Sequence, residues 1–281
     1  MSCAEEREFD ATGSFEAVEV IISAEATGKL VVFDIEEGQE LQAEHQVGFI
    51  DTIQLYLKKK QLQTQIEALI SKKPDIEVQL SALNEQLKAA EVEKQRVEKL
   101  IKADAATQKQ LDDINAQIEV IKRQIEAKKS SLEISSSGID KDIIPLQVQL
   151  EQVEDQLKKC KIINPVEGTV LTKYAEQNEM AVAGKSLYKI ADLNSIILKV
   201  YISANQLPQV KLNQKVKVFT DDGEGGFTEN EGVVTWISNK AEFTPKTIQT
   251  KEERANMVYA VKIKVINNGT YKIGMYGEVN F

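Results

Sequence analysis

Side chains able to act as nucleophiles or soft metal ligands are scarce here: one histidine, His45, and two cysteines, Cys3 and Cys160, stand among 281 residues. A zinc centre of the usual kind draws several ligands from Cys and His, a Ser-His-Asp relay needs a base beside its hydroxyl, and a disulfide framework needs several paired thiols. Three residues so far apart supply none of these. His45 reads as a loop residue without a catalytic role, and Cys160 as a small apolar residue in a helical seam. The sequence therefore predicts no catalytic residue, no metal site and no cofactor. Acidic residues outnumber basic ones, 44 against 35, for a net charge of −9. A chain acidic in this diffuse way has no general attraction for phosphate backbones, which argues against a nucleic-acid partner. The longest apolar runs, Val18 to Ala24 and Ile196 to Ile202, fall well short of the roughly 20 residues that span a bilayer.

With chemistry set aside, the elements themselves carry the information. Residues 51–160 are highly charged but balanced, with Tyr56 their only aromatic and Gly138 their only glycine, whereas both flanks are rich in Val, Ile, Gly and aromatics. That contrast predicts long helix in the middle and strands with turns on either side. Heptad spacing runs through Leu62, Ile66, Leu69, Ile76, Leu80, Leu83, Leu87, Ala90, Val97 and Ile101, with Lys73 and Lys94 interrupting the seam. It resumes at Leu111, Ile114, Ile118, Ile121, Ile125 and Leu132, and again at Ile139, Ile143, Leu146, Leu150, Val153 and Leu157. If the chain reverses near Asp104, Val97 meets Leu111, Ala90 meets Ile118, Leu83 meets Ile125 and Leu62 meets Leu146, each step down one arm matched by an equal step up the other. An antiparallel hairpin follows, with arms of about 50 residues and about 75 Å. Pro74 lies opposite Ser135 to Gly138, so a break in both arms is expected at one level.

The flanks repeat one another. With Gly28 placed over Gly168 and that offset held without gaps, Leu30 falls on Val170, Val31 on Leu171, Gly38 on Asn178, Val47 on Leu187 and Ile50 on Ile190. Matching turn and apolar positions indicate an internal duplication. Beyond it, alternating runs Ile196-Leu198-Val200-Ile202, Val216-Val218, Val234-Trp236 and Val261-Ile263-Val265 predict further antiparallel strands.

The half-motifs "SAEATGKLVVFDIEEGQEL" and "NPVEGTVLTKYAEQNEMAVAGKSLYKIAD" on either side of the helices resemble the split lipoyl domain of HlyD-type periplasmic adaptors, the membrane fusion proteins. The stretch Ala241 to Arg254 resembles a segment of the adaptors of ABC-type exporters, and Asn213 stands where the family often has Gly, so that turn is expected to be built differently. The resemblance implies an α+β multidomain protein. A long antiparallel coiled-coil hairpin (51–160) would be inserted in a split lipoyl, or barrel-sandwich hybrid, domain (15–50 and 161–192). An antiparallel β-barrel domain (193–281) would follow, and residues 1–14 would form an N-terminal tail.

The family's docking motif at the hairpin tip, Arg, then Leu, then Ser, matches here as Arg96, Leu100 and Thr107, with Thr in place of Ser. Either hydroxyl can cap a helix starting just after the turn. The resemblance implies a non-enzymatic adaptor linking an inner-membrane transporter, ABC-type rather than RND, to an outer-membrane channel of TolC type. It also implies self-association into a ring, a hexamer, in the periplasm of a Gram-negative bacterium. The first dozen residues are too few for the fourth, membrane-proximal domain usual in RND adaptors, which favours the ABC pairing. Ser2-Cys3 resembles the end of a lipobox, which makes Cys3 a candidate lipid anchor. Two other classes fit parts of the sequence. A cell-envelope coiled-coil scaffold would leave the duplicated halves unexplained, and a lipoyl or biotinyl carrier would need a displayed Lys where the helical insertion stands.

Overall fold

The computed structural model describes residues 9–223, 226–243 and 257–281. Cys3 and most of the stretch Ala241 to Arg254 lie outside them. The chain divides into two compact units, 52–159 and the remainder.

The unit of residues 52–159 holds α1 (Ile53–Ile70), α2 (Ile76–Lys102) and α3 (Gln108–Lys159), with α1 and α2 both packed on α3. Its buried residues are Leu62, Leu80, Val97, Ile118, Ile121, Leu132, Ile143 and Val153, all of them heptad positions. The other seam residues, Leu69, Leu83 and Ile125 among them, are half-buried, because two helices in contact along one line leave each side chain a wet flank. Two ion pairs cross between the arms, Lys59 to Glu154 and Lys73 to Asp140, each at 2.7 Å. The step from Lys59 to Lys73 equals that from Asp140 to Glu154, so one antiparallel register serves both. Lys73, a polar interruption of the seam, is thus partnered, and the Lys59 ammonium hydrogen-bonded to Glu154 holds that carboxyl below its usual range.

Only one arm breaks. α1 ends at Ile70, and α2 starts after Asp75, whose side chain accepts a hydrogen bond from the Val78 N–H at 3.1 Å. Pro74 cannot donate the backbone bond a continuing helix needs, and it disfavours helical geometry at Lys73; Asp75 then offers a cap for a new start. α3 runs unbroken through Ser135 to Gly138 and even through Pro145, contrary to the expectation that both arms would break. Ser and Gly each cost a helix at most about 1 kcal/mol, which burial of Leu132 and Ile143 on either side offsets.

The other unit is built of strands. Before the helices come β1 (Ala11–Glu16), β2 (Glu19–Ser23), β3 (Gly28–Phe33), β4 (Glu40–Leu41) and β5 (Gln46–Ile50). After them come β6 (Lys161–Ile163), β7 (Gly168–Lys173), β8 (Met180–Ala181), β9 (Ser186–Ala191) and β10 (Ser195–Ser203). The last five are β11 (Lys215–Asp221), β12 (Phe227–Ile237), β13 (Glu242–Phe243), β14 (Met257–Ile266) and β15 (Tyr276–Asn280). Two four-stranded antiparallel sheets, β2-β9-β7-β4 and β6-β5-β3-β8, interleave the repeated halves. Gly28 pairs with Ala181 where Gly168 pairs with Leu41. The Gly38 N–H donates to the Val170 carbonyl at 2.8 Å where the Asn178 N–H donates to that of Leu30 at 2.8 Å. Each half thus completes the other, and Gly38 and Asn178 share the left-handed turn conformation, φ 87° and 75°.

The remaining strands form a sheet in the order β10-β1-β15-β11-β12-β14-β13, and pairing of β10 with β14 closes it into a barrel. Its interior holds Phe15, Ile196, Leu198, Ile202 and Ile263, all essentially inaccessible. Here the sequence expectation needs correction, since Ala11–Glu16 is neither tail nor part of the split half but a barrel strand between β10 and β15. A Cβ at Gly13 would lie 1.9 Å from the Lys199 carbonyl oxygen, so the close approach of β10 requires glycine there, and Phe15 stacks on Tyr271. Asn213 occupies the left-handed region at φ 64°, a conformation that glycine adopts freely and Asn tolerates. Cys160 is buried, but not in the seam: it belongs to the strand unit, and its carbonyl accepts from the Ile50 N–H at 2.8 Å.

Candidate docking tip

The tip is two helix ends and the five residues that join them. α2 terminates because Asp104 takes a left-handed conformation, φ 55°. The Ala105 N–H then reaches back to the Leu100 carbonyl at 2.8 Å and the Asp104 N–H to that of Ile101 at 3.0 Å. This pair of bonds satisfies carbonyls that the helix end would leave open. Lys99 and Lys102 in the last turn complement the partial negative charge of that end.

α3 starts with a reciprocal cap. The Thr107 N–H donates to Gln110 Oε1 at 2.8 Å, and the Gln110 N–H points back at Thr107 Oγ1, 3.4 Å away. The Thr107 hydroxyl also donates to Gln110 Oε1, at 3.1 Å. The turn is therefore held from both sides by local bonds.

Arg96, Leu100 and Thr107 are all exposed. Arg96 shares a 3.5 Å ion pair with Glu93 one turn back, and its side chain is 71% accessible. Leu100 is 37% accessible while Val97 beside it is 7%. The difference is one of helix angle: Val97 faces the seam and Leu100 the flank. The tip thus offers a donor-only cation and an apolar side chain on the end of α2 and a hydroxyl on the short, locally braced turn that follows. The sequence places the reversal near Asp104 without its left-handed conformation, and it assigns Gln110 no role. The Thr-x-x-Gln spacing of a capping box was a readable signal for Gln110, whereas a left-handed Asp gives none.

His45 is exposed, in the turn before β5. Burial raises the Cys160 thiol pKa, with the Asp51 charge adding to it, so the thiol is held protonated and unreactive. Among the described residues no group of three His, Cys, Asp or Glu is placed to hold a metal ion, and no helix is long and apolar enough to cross a membrane.

No family model matches the chain. Among curated proteins it is 29% identical over 114 residues to a UPF0194 membrane protein of Citrobacter koseri, over 41% of this chain and 34% of that protein. It is 29% identical over 126 residues to one of Yersinia pseudotuberculosis, 44% of this chain and 38% of that protein. The match thus spans little more than a third of these relatives' length. Solved structures align far more completely. MacA from Actinobacillus actinomycetemcomitans superposes with a TM-score of 0.58 at 21% identity, over 96% of this chain and 76% of MacA. The periplasmic adaptor protein EmrA gives 0.52 at 17% identity, over 96% and 97%. The chain has the membrane fusion protein fold. The membrane fusion protein Spr0693 from Streptococcus pneumoniae R6 shares that fold, with a TM-score of 0.51 at 15% identity over 96% of each chain. A fold common to proteins this divergent accounts for the α+β build, the long α3 and the closed barrel sheet.

Proposed function

We propose that this protein is a periplasmic adaptor of a tripartite efflux or secretion system. In this reading the interleaved sheets are the split lipoyl, barrel-sandwich hybrid domain, and α1, α2 and α3 form its coiled-coil hairpin. The hairpin tip docks an outer-membrane channel of TolC type, and the protein also serves an inner-membrane transporter, ABC-type rather than RND. Six copies form a ring around the export path, in the periplasm of a Gram-negative bacterium, with Cys3 as a candidate lipid anchor. The observation that carries the docking role is Leu100. A large apolar side chain stays accessible at a braced turn whose seam is already filled by Val97. An apolar group so placed suits insertion between the helices of a partner, with Arg96 bonding to carbonyls or carboxylates beside it.

A photo-crosslinking side chain at position 100, introduced in cells that carry the whole system, tests this. The expected product is an adduct with an outer-membrane channel, absent when the same group stands at position 85, also exposed on α2 but away from the tip. Adducts with inner-membrane proteins alone would contradict the reading.

A further inference from the structure

The bonds at Thr107 fix more than the start of α3. A backbone N–H can only donate, so the Gln110 atom that meets the Thr107 N–H at 2.8 Å is the amide oxygen and not the nitrogen. The Thr107 hydroxyl faces that same oxygen at 3.1 Å, and against an acceptor it must be the donor. Its one proton is therefore committed within the chain. The Gln110 N–H points at one of its lone pairs from 3.4 Å. What Thr107 leaves for a partner is a lone pair, an acceptor site.

We propose that Gln110 is a positioning residue of the docking tip, which orients the Thr107 hydroxyl as an acceptor so that the partner surface must present an N–H or O–H donor to it. This rests on the docking reading above and adds the polarity of recognition to it. Arg96 can only donate, Leu100 is apolar and Thr107 accepts; the tip therefore fits a surface that reads acceptor, apolar groove, donor in the same order. A surface offering a carbonyl or carboxylate opposite Thr107 would put two acceptors face to face, and a buried unpaired acceptor is costly. The residue that sets this polarity lies outside the three-residue motif.

The test measures binding of the full chain to a detergent-solubilised TolC-type channel from the same cell, with wild type, Gln110→Ala, Thr107→Val, the double variant and Gln110→Glu. Loss of one such hydrogen bond is expected to weaken binding by about 2- to 10-fold in Gln110→Ala and in Thr107→Val. The double variant should be no weaker than Thr107→Val alone, since Gln110 acts through that hydroxyl. Gln110→Glu keeps the acceptor oxygen and should bind like wild type. Circular dichroism and melting of each variant separate docking from loss of the cap, because a merely structural role would lower helicity and binding together, whereas a positioning role weakens binding beyond what the change in helicity accounts for. Leu100→Asp is measured alongside: if it alone abolishes binding and Gln110→Ala binds as wild type, the positioning role falls while the docking reading stands. Additive losses in the double variant would also overturn it. Unchanged binding by Leu100→Asp would instead sink the docking reading itself.

Discussion

The interleaved sheets and the helical seam are held together differently. In the sheets Leu30, Ile50, Leu187 and Ile190 have no accessible surface, each closed in by strands from both repeats. Along the seam only Leu62 approaches that state, while Leu80, Val97, Ile118 and Ile121 keep about 7% and their neighbours more. A sheet core sums burial in three dimensions, whereas a two-helix seam sums it along a line. The sheets should accordingly respond sharply to single deletions, and the hairpin more mildly. At its far end a helix pair can carry an exposed functional side chain at little cost to the fold.

The sharpest break of that comparison is Leu30→Ala. Removal of a fully enclosed leucine should lower stability by about 3 to 4 kcal/mol, read by denaturant unfolding of the strand unit. Leu80→Ala, at a seam position with a wet flank, should cost about 2 kcal/mol, at the low end for a leucine, because water can reach the space left. Equal losses at both sites would erase the distinction.

The repeat also differs within itself, which gives a finer prediction. At the position matching Gly48 the second half has Tyr188, and at that matching Ala24 it has Asn164. The Tyr188 hydroxyl donates to Asn164 Oδ1 at 3.0 Å, and the Asn164 amide donates to the carbonyls of Gln42 and Val166. Burial pushes the Tyr188 pKa up to about 12. Because the folded pKa exceeds the unfolded value of about 10, the stability from this phenol is fully present below pH 10 and is lost as pH rises toward 12. Tyr188→Phe leaves Asn164 Oδ1 without that donor and should cost about 1 to 2 kcal/mol. It should also remove this part of the alkaline loss of stability, which a pH series of melting curves would register.

Much of this could be read from residues alone, and the exceptions have physical reasons. The heptad positions and the repeat were legible because burial on one helix face, or on alternate strand positions, imposes a period that the sequence must keep. Ala11–Glu16 was not. Gly13 and Ser14 interrupt any strand signature that Thr12 and Phe15 carry, and what makes this stretch a strand is the close approach of β10, a contact distant in sequence. The single break at Pro74 was half legible, since Pro stops a helix by its own chemistry while tolerance of Ser135 to Gly138 and Pro145 depends on packing against the partner arm. At the tip, the capping hydroxyl of Thr107 was legible and the left-handed Asp104 was not.

Smaller effects sharpen the hairpin side of the comparison. Cysteines at positions 83 and 125, in a background lacking Cys160, should crosslink within one chain if the expected seam register holds; a pair displaced by a full heptad that crosslinks instead would refute it. Asp104→Gly removes the steric penalty of a left-handed side chain and should raise hairpin stability by about 0.5 kcal/mol, measured by the melting of helicity. A loss of stability there would mean that the Asp104 side chain, not its backbone, holds the turn.

The most direct measurement of the central claim is efflux or secretion by cells carrying Leu100→Asp, beside the melting temperature of the purified variant. The account predicts a stability change within about 0.5 kcal/mol, as for surface positions generally, together with a near-complete loss of export, because an unpaired carboxylate would have to enter an apolar groove. Normal melting with full export would contradict a docking tip. A melting temperature many degrees lower would show instead that Leu100 belongs to the seam.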